Sequence, residues 1–474
     1  MNMQVINNKV MMPILTLFCM ILVIIGKIKI LTIILAMVCI KTLYYNLVEI
    51  KNIKLNIHYI LFSLVILQYL LIFRDINTAN SLKILKTLLE FLICIASFIF
   101  SIKYFIRMHK IYSIAQFSIL IYILYILINN ILKNRFGINS LYWWFKYITL
   151  YMLIYNFMNK SSKEKDKNFN IKYIYIILSV MHSIMWIYSL FGIENVFTLT
   201  TVSQTYRFGG IIVHPSTMSV LSSLLLILSI YFKYVCTCYS NRYNNLNIMI
   251  SLVSLIATYG RIGIIIGMTL SLILYINLSK ANKKIYLYIN IPLVMILLFL
   301  LIMNSPENKY WMLKILSRNS GIKDIISLNG RTEIWGYFLN DIIKKNNIIF
   351  GYGFNNISLM ITNSGLLFSE YAYSMENAYL NIYMELGIIG LYLFFMIIFS
   401  YIYELMYNLK YKKYLKKQLL LNIILMLILL TEGMFVPSFG GLPRIQTFIF
   451  ISIIMINVTY FSDTNNKIGA RVLK

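Results

Sequence analysis

Long apolar runs recur from one end of the chain to the other, and they decide what it can fold into. They lie near residues 10–26, 28–47, 56–73, 85–106, 112–132, 139–157 and 173–192, and continue near 213–232, 245–259, 262–279, 285–303, 377–403, 418–436 and 445–461. A run of about 20 apolar residues is long enough to cross the hydrocarbon core of a bilayer as a helix. Backbone polar groups in lipid must be satisfied within the segment, so helices are the expected form. The runs flanking Lys27 and Arg261 are closely joined, so the expected number of crossings is about 12–14. Hydrophobic residues make up 60% of the 474-residue chain and charged residues only 12%. No single soluble core could bury that share, because soluble cores stop growing at about 250–300 residues. A soluble enzyme, a nucleic-acid-binding module and a disordered chain are thereby excluded. The expected fold class is an all-α polytopic membrane protein.

The net charge of +27 has a topological reading. Lys and Arg collect in the cytoplasmic loops of membrane proteins. The basic clusters at Lys103–Lys110, Lys160–Lys172, Lys280–Lys284 and Lys410–Lys417 fall on one side when the spans are counted from a cytoplasmic N-terminus. Both termini are then expected to be cytoplasmic, and the chain to cross its membrane many times. The first run lacks a small-residue cleavage site and reads as a retained helix. The organisation that follows is a block of about eleven spans over 1–303, a long outer-face loop over 304–376, and about three spans with a short tail over 377–474. Cys19, Cys39, Cys94, Cys236 and Cys238 lie in apolar runs or at a cytoplasmic boundary, so neither a disulfide nor a zinc site is expected.

The outer loop contains structure of its own. After the turn signal Asn329-Gly330, Ile334, Trp335, Phe338, Leu339, Ile342 and Ile343 repeat on one helical face. That pattern predicts an amphipathic helix lying on the membrane surface, broken afterwards by Gly351-Tyr-Gly353.

Arginines on this outer side are the candidates for chemistry. Arg207 stands in Tyr-Arg-Phe-Gly-Gly, just before His214-Pro215. Its glycines and proline suggest a shaped pocket, and its alternative is a snorkelling anchor. His214 alone has a structural alternative. Arg261 sits between two apolar runs, where a charge needs water, a partner or a ligand; its alternative is a hairpin anchor. Arg331 opens the amphipathic helix, where its sign opposes the helix dipole; its alternative is an ordinary surface charge. With Arg444, these guanidiniums would suit a diphosphate, because the planar fork binds phosphate oxygens in pairs and stays charged. Glu376 precedes Asn377 where the chain re-enters the membrane, placed to act as a general base or merely to favour the helix N-terminus. Trp335 offers a face for stacking on a sugar ring. The chain has no Walker A loop, dinucleotide fingerprint or His-Glu-x-x-His motif.

Taken in order, these motifs are familiar. They run Arg207-Phe-Gly-Gly with His214-Pro215, Thr258-Tyr-Gly-Arg261, Asn329-Gly-Arg331 with Trp335, Gly351-Tyr-Gly353, Glu376-Asn-Ala-Tyr-Leu380 and Glu385-Leu-Gly-Ile-Ile-Gly390. The arrangement resembles the O-antigen ligase/polymerase superfamily, and within it the Wzy-type polysaccharide repeat-unit polymerases. The resemblance covers roughly residues 200–400.

It implies a GT-C-like helical membrane fold and glycosyl transfer on the outer face between undecaprenyl-diphosphate-linked oligosaccharides. Neither a metal nor any cofactor is expected, and no nucleic acid. A chain-length regulator and a flippase are the partner proteins it suggests, beside membrane lipid. Carried onto this chain, Arg261, Arg331 and Glu376 would be catalytic, and Arg207, His214, Gly330, Trp335, Asn377 and Arg444 would bind substrate. The ligase branch typically has His where this chain has Glu376, a departure that points to a polymerase. Two alternatives stand beside it. One is a ligase that moves finished glycan to another acceptor. The other is a lipid-linked oligosaccharide flippase, a class that usually shows internal repeats and midplane sites.

Overall fold

The computed structural model describes residues 3–24, 27–51, 91–92, 94–99, 101–102, 113–133, 138–161, 169–192, 197–199, 206–210, 215–236, 239–278, 331–344, 347–357, 377–411, 416–434 and 447–455. The expected spans near 56–73 and 285–303 lie outside them. The protein is an all-α polytopic membrane protein. Among the described residues, five helical segments are long and apolar enough to cross a bilayer: Ile28–Asn46, Ile114–Leu132, Ile171–Phe191, Pro215–Tyr234 and Ala378–Tyr407.

The first compact unit comprises residues 1–54, 174–330 and 423–428. It contains α1 (Met3–Ile24), α2 (Ile28–Lys51) and most of what becomes α5 (Phe169–Tyr188), followed by α6 (Pro215–Tyr234), α7 (Asn241–Ala257) and α8 (Arg261–Leu278). Helix α6 packs against both α7 and α8, while α1 and α2 pack on α7. Small residues make the α6–α8 approach close. A side chain on Gly260 would press on Ser219, and one on Gly267 would collide with Ser223. The Ser223 hydroxyl donates to the Ser219 carbonyl within its own helix and also reaches the carbonyl of Gly263 at 3.3 Å. Backbones that approach through small residues gain packing where no hydrophobic drive separates protein from lipid.

Polar side chains tie α2, α5 and α7 together. Asn46 donates to Ser179, Ser179 to Asn247, Asn247 to Tyr175, and Tyr175 to Asn244. Tyr243 closes the set by donating to Asn46. All six are buried. Farther along α5, His182 accepts from or donates to Ser222 through Nε2 at 3.1 Å, and Trp186 donates to Ser254 at 2.8 Å. The partners on α5, at Tyr175, Ser179, His182 and Trp186, recur every three or four residues, so a polar seam runs along one stripe of that helix.

Between α5 and α6 this unit also carries a short ribbon. Strands β1 (Phe197–Leu199) and β2 (Tyr206–Phe208) pair antiparallel, with Phe197 opposite Phe208 and Thr198 opposite Arg207. Aromatic and β-branched residues at alternating positions favour the extended form over this short stretch.

The second unit comprises residues 55–173, 331–422 and 429–474. It contains α3 (Ile114–Leu132), α4 (Ile138–Ser161), α9 (Arg331–Lys344) and α10 (Ala378–Tyr411), with helical residues 447–455. Helix α11 (Lys416–Gly433) has segments in both units. Helix α3 packs against α4 and α10. Ser113 caps α3 in the usual way, accepting from the Gln116 amide, and the Glu404 carboxylate accepts from the Ala115 amide at 3.0 Å. An acidic side chain from a neighbouring helix thus accepts at the positive end of the α3 dipole.

Helix α9 forms where the periodicity predicts it, but protein covers part of its apolar face. Phe338 and Ile342 are buried in a cluster with Tyr352, Ile357 and Met384, flanked by Trp335, Leu380 and Tyr383. Tyr337 and Ile343 stay exposed.

Helix α10 is broken at Gly387, whose φ is 69°. The segment after α9 plugs the break. Tyr352 N–H donates to the Met384 carbonyl and Gly353 N–H to the Glu385 carbonyl, while Ile388 N–H donates to the Ile348 carbonyl. Irregular backbone at membrane depth survives only where protein satisfies its polar groups. Helix α3 holds the plug from the side: Asn129 donates to the Phe350 carbonyl at 2.6 Å and Lys133 to Asn347 at 2.8 Å.

Candidate functional site

The first unit has a candidate site of its own, built at the turn between α7 and α8. Helix α7 ends with Thr258 at its C-cap. The Thr258 hydroxyl donates to the Leu255 carbonyl and accepts from the Gly260 amide at 3.1 Å. Between them Tyr259 adopts φ 49°, a left-handed conformation that costs a non-glycine residue about 1–2 kcal/mol. Its hydroxyl donates to the Val23 carbonyl at 3.0 Å, which ties the turn to α1. Gly260 then caps α8, its carbonyl accepting from the Ile264 amide at 2.8 Å. Arg261 is the first residue of α8. Strained backbone held by several independent bonds is a recurrent feature of binding and catalytic sites.

The ribbon brings a second arginine to this turn. Arg207, half-buried on β2, donates through Nε to the Thr258 carbonyl at 3.1 Å. The bond reaches the chain three residues before Arg261. Side chains alternate along a strand, so Phe208 faces away from Arg207 and into the core. There it stacks on Trp186, with ring centroids 4.4 Å apart and planes 8° from parallel. After the strand, Gly210 adopts φ 61° and lies so close to Met185 and Met218 that a Cβ would be 2.6 and 2.9 Å from their sulfurs. The glycine pair singled out in the sequence therefore serves a tight exit from the ribbon.

In the second unit, Arg331 is the first residue of α9 and Asn377 caps α10. The Asn377 side chain accepts from the Leu380 amide at 3.1 Å, and its carbonyl accepts from the Asn381 amide at 3.0 Å. Trp335 is half-buried beside the cluster that joins α9 to α10. Tyr352, at the plug, donates to Asp341 at 2.6 Å. Burial and that neighbouring carboxylate both push the Tyr352 hydroxyl above its ordinary pKa. His214, Gly330, Glu376 and Arg444 lie outside the described residues.

Three features of the two units escaped sequence reasoning. Trp186 looked like one more aromatic residue in an apolar run. The left-handed Tyr259 had no sequence signal, because tyrosine rarely adopts that conformation. The break at Gly387 did have one: a glycine two residues after a carboxylate, inside an otherwise unbroken span.

Residues 246–395 match the family model described as O-Antigen ligase. The matched stretch, about a third of the chain, begins on α7 and ends on α10. It includes the Thr258–Arg261 turn, the whole of α9, the plug and the break in α10 at Gly387. No curated protein matches the chain.

Proposed function

We propose, from the place of residues 246–395 in the O-antigen ligase/polymerase superfamily, that the chain polymerises lipid-diphosphate-linked oligosaccharide repeat units into a surface polysaccharide. The reaction runs on the outer face of a bacterial cytoplasmic membrane with undecaprenyl-diphosphate carriers, and both termini are cytoplasmic. The observation that supports this most directly is the bond from Arg207 to the turn that starts at Thr258 and ends at Arg261. It gathers two guanidinium-bearing residues at one rigid piece of backbone, as recognition of a diphosphate requires.

The chemistry then follows from the substrates. The terminal hydroxyl of one lipid-linked repeat attacks the anomeric carbon of the growing glycan. The C–O bond to the lipid diphosphate breaks, and the hydroxyl proton passes to the Glu376 carboxylate. The leaving diphosphate gathers negative charge as that bond opens; in this reading Arg261 and Arg331 supply the cations that stabilise it, and Arg207 binds the diphosphate. Asn377 fixes the start of α10 beside Glu376 through its cap. With no covalent intermediate, the new linkage inverts the configuration of the donor. His214, Gly330, Trp335 and Arg444 complete substrate binding in this reading.

The second reading is a ligase that moves finished glycan to another acceptor, and the matched family model covers both kinds of enzyme. A glutamate at the position preceding Asn377, where the ligase branch has histidine, favours the polymerase.

The test uses a cell whose surface polysaccharide depends on this gene. Replacing Arg261 by Ala or Lys at unchanged membrane levels is expected to abolish the long glycan ladder and leave single repeats. A persisting ladder would remove Arg261 from the diphosphate site. Reconstitution separates the two enzymes, because a polymerase builds a ladder from one lipid-linked repeat alone and a ligase does not.

A further inference from the structure

We infer that Trp186 is a positioning residue that holds Arg207 in register with the Thr258–Arg261 turn. The inference rests on the reading of Arg207 as a diphosphate ligand.

Trp186 touches both halves of that arrangement and would not touch substrate. Its ring lies fully buried under the ribbon, stacked on Phe208, the residue directly after Arg207. It also meets Phe197 edge-on with centroids 5.8 Å apart, and Phe197 meets Phe208 at 5.4 Å. The three rings therefore fix the twist and height of the strand pair from the face opposite Arg207. Aromatic contacts of this kind are directional, so the strand cannot slide without losing them.

The indole N–H supplies the other half. It donates to the Ser254 hydroxyl on α7 at 2.8 Å. Ser254 lies one turn before Thr258, and its carbonyl accepts from the Thr258 amide at 3.1 Å. The Thr258 carbonyl is in turn the acceptor for Arg207 Nε. One side chain thus grips the strand that carries the arginine and the helix end that receives it. A ring that merely filled space would meet the first requirement and not the second. Phenylalanine at this position would keep the stack and lose the coupling to α7.

The experiment reads Arg207 directly, in the purified full-length protein. Modification by phenylglyoxal is followed residue by residue with mass spectrometry, with and without inorganic pyrophosphate. In the native protein Arg207 is expected to react slowly, and pyrophosphate is expected to slow it further. Trp186→Leu is expected to speed modification by about tenfold, the scale of one lost charge-assisted hydrogen bond, and to abolish the protection. Trp186→Phe and Ser254→Ala, which spare the stack, are expected to give a smaller rise in rate and would carry the test alone if Trp186→Leu fails to fold. Trp144→Phe removes an indole bond to the Ile123 carbonyl elsewhere in the chain, and is expected to leave Arg207 unchanged.

Turnover adds a readout that simple destabilisation would not give. Trp186→Leu is expected to raise KM for the lipid-diphosphate donor more than it lowers kcat, and to add nothing in an Arg207→Lys background. Coupled residues lose additivity in this way. Unchanged Arg207 reactivity in all three variants at Trp186 and Ser254, or additive effects with Arg207→Lys, would overturn the inference. Absence of pyrophosphate protection in the native protein would count against the diphosphate reading, while the variant reactivities would still decide the positioning role.

Discussion

Arg207 Nε and the Thr258 carbonyl stand 3.1 Å apart, joining a strand to a helix end across fifty-one positions of chain. A lysine in place of Arg207 would keep the charge but lose the planar fork. Arg207→Lys is therefore expected to lower polymer formation by at least about tenfold, the effect of one charge-assisted hydrogen bond. Membrane levels should stay normal. Glycan ladders from cells carrying the variant check this, and an undiminished ladder would show that charge alone suffices at the position.

Tyr259 offers a prediction about the turn itself. Its φ of 49° is strained for tyrosine and easy for glycine. Tyr259→Gly relieves that strain but loses the bond to the Val23 carbonyl. Tyr259→Asn, which also tolerates the left-handed region, is expected to hold the turn better than Tyr259→Ala. The thermal stabilities of the three variants in detergent should rank Asn and Gly above Ala. Ala at the top would mean that backbone strain at this turn is negligible.

Much of this architecture is legible in the sequence, because apolar runs and helices answer to the same requirement. The run near 213–232 became Pro215–Tyr234, and the run near 112–132 became Ile114–Leu132. The periodic stretch beginning at Arg331 became α9. What escaped depends on contacts between distant residues. Nothing in the local pattern says that residues 347–353 will plug α10, since the bonds run from backbone to backbone. Nothing near Phe208 announces Trp186 as its partner. The site arginines drew attention because charge is scarce in so apolar a chain, but only the fold could show that Arg207 meets the segment that leads into Arg261.

The polar set joining α2, α5 and α7 has Asn247 near its middle, bonded to both Ser179 and Tyr175. Asn247→Leu removes two bonds and leaves the Ser179 hydroxyl to find another acceptor. Bonds between membrane helices average about 0.6 kcal/mol each, so a loss of roughly 1–2 kcal/mol is expected. Unfolding in mixed detergent would measure it. A stabilised variant would mean that apolar packing outweighs the hydrogen bonds at this position.

Tyr352 gives the plug a pH dependence. Burial and Asp341 raise its folded pKa above the ordinary tyrosine value of about 10. A group whose pKa is raised on folding contributes its full share below the unfolded pKa. That share is lost as pH rises through the folded value. The stability difference between the native protein and Tyr352→Phe is thus expected to stay constant through neutral pH and to shrink only in strong alkali. A difference that vanished between pH 5 and 8 would show that Asp341, not Tyr352, controls the bond.

A glycine of the plug and a glycine of α10 meet at the break. Gly387 has φ 69°, and a Cβ there would collide with the Ile349 carbonyl. Gly351, at φ 66°, faces it, with a Cβ position 2.6 Å from the Glu385 backbone. Alanine at Gly387 must either expel the plug or straighten the helix, and strain of this kind costs about 1–3 kcal/mol before any lost bonds are counted. Gly336, in the middle of α9, has nothing within 4 Å of its Cβ position. Alanine there should stabilise the helix by up to about 1 kcal/mol. Gly387→Ala is therefore expected to lower thermal stability and to open the Asn347–Gly353 segment to protease, while Gly336→Ala leaves the segment protected. Equal protection in both variants would mean that the break in α10 does not need the plug to persist.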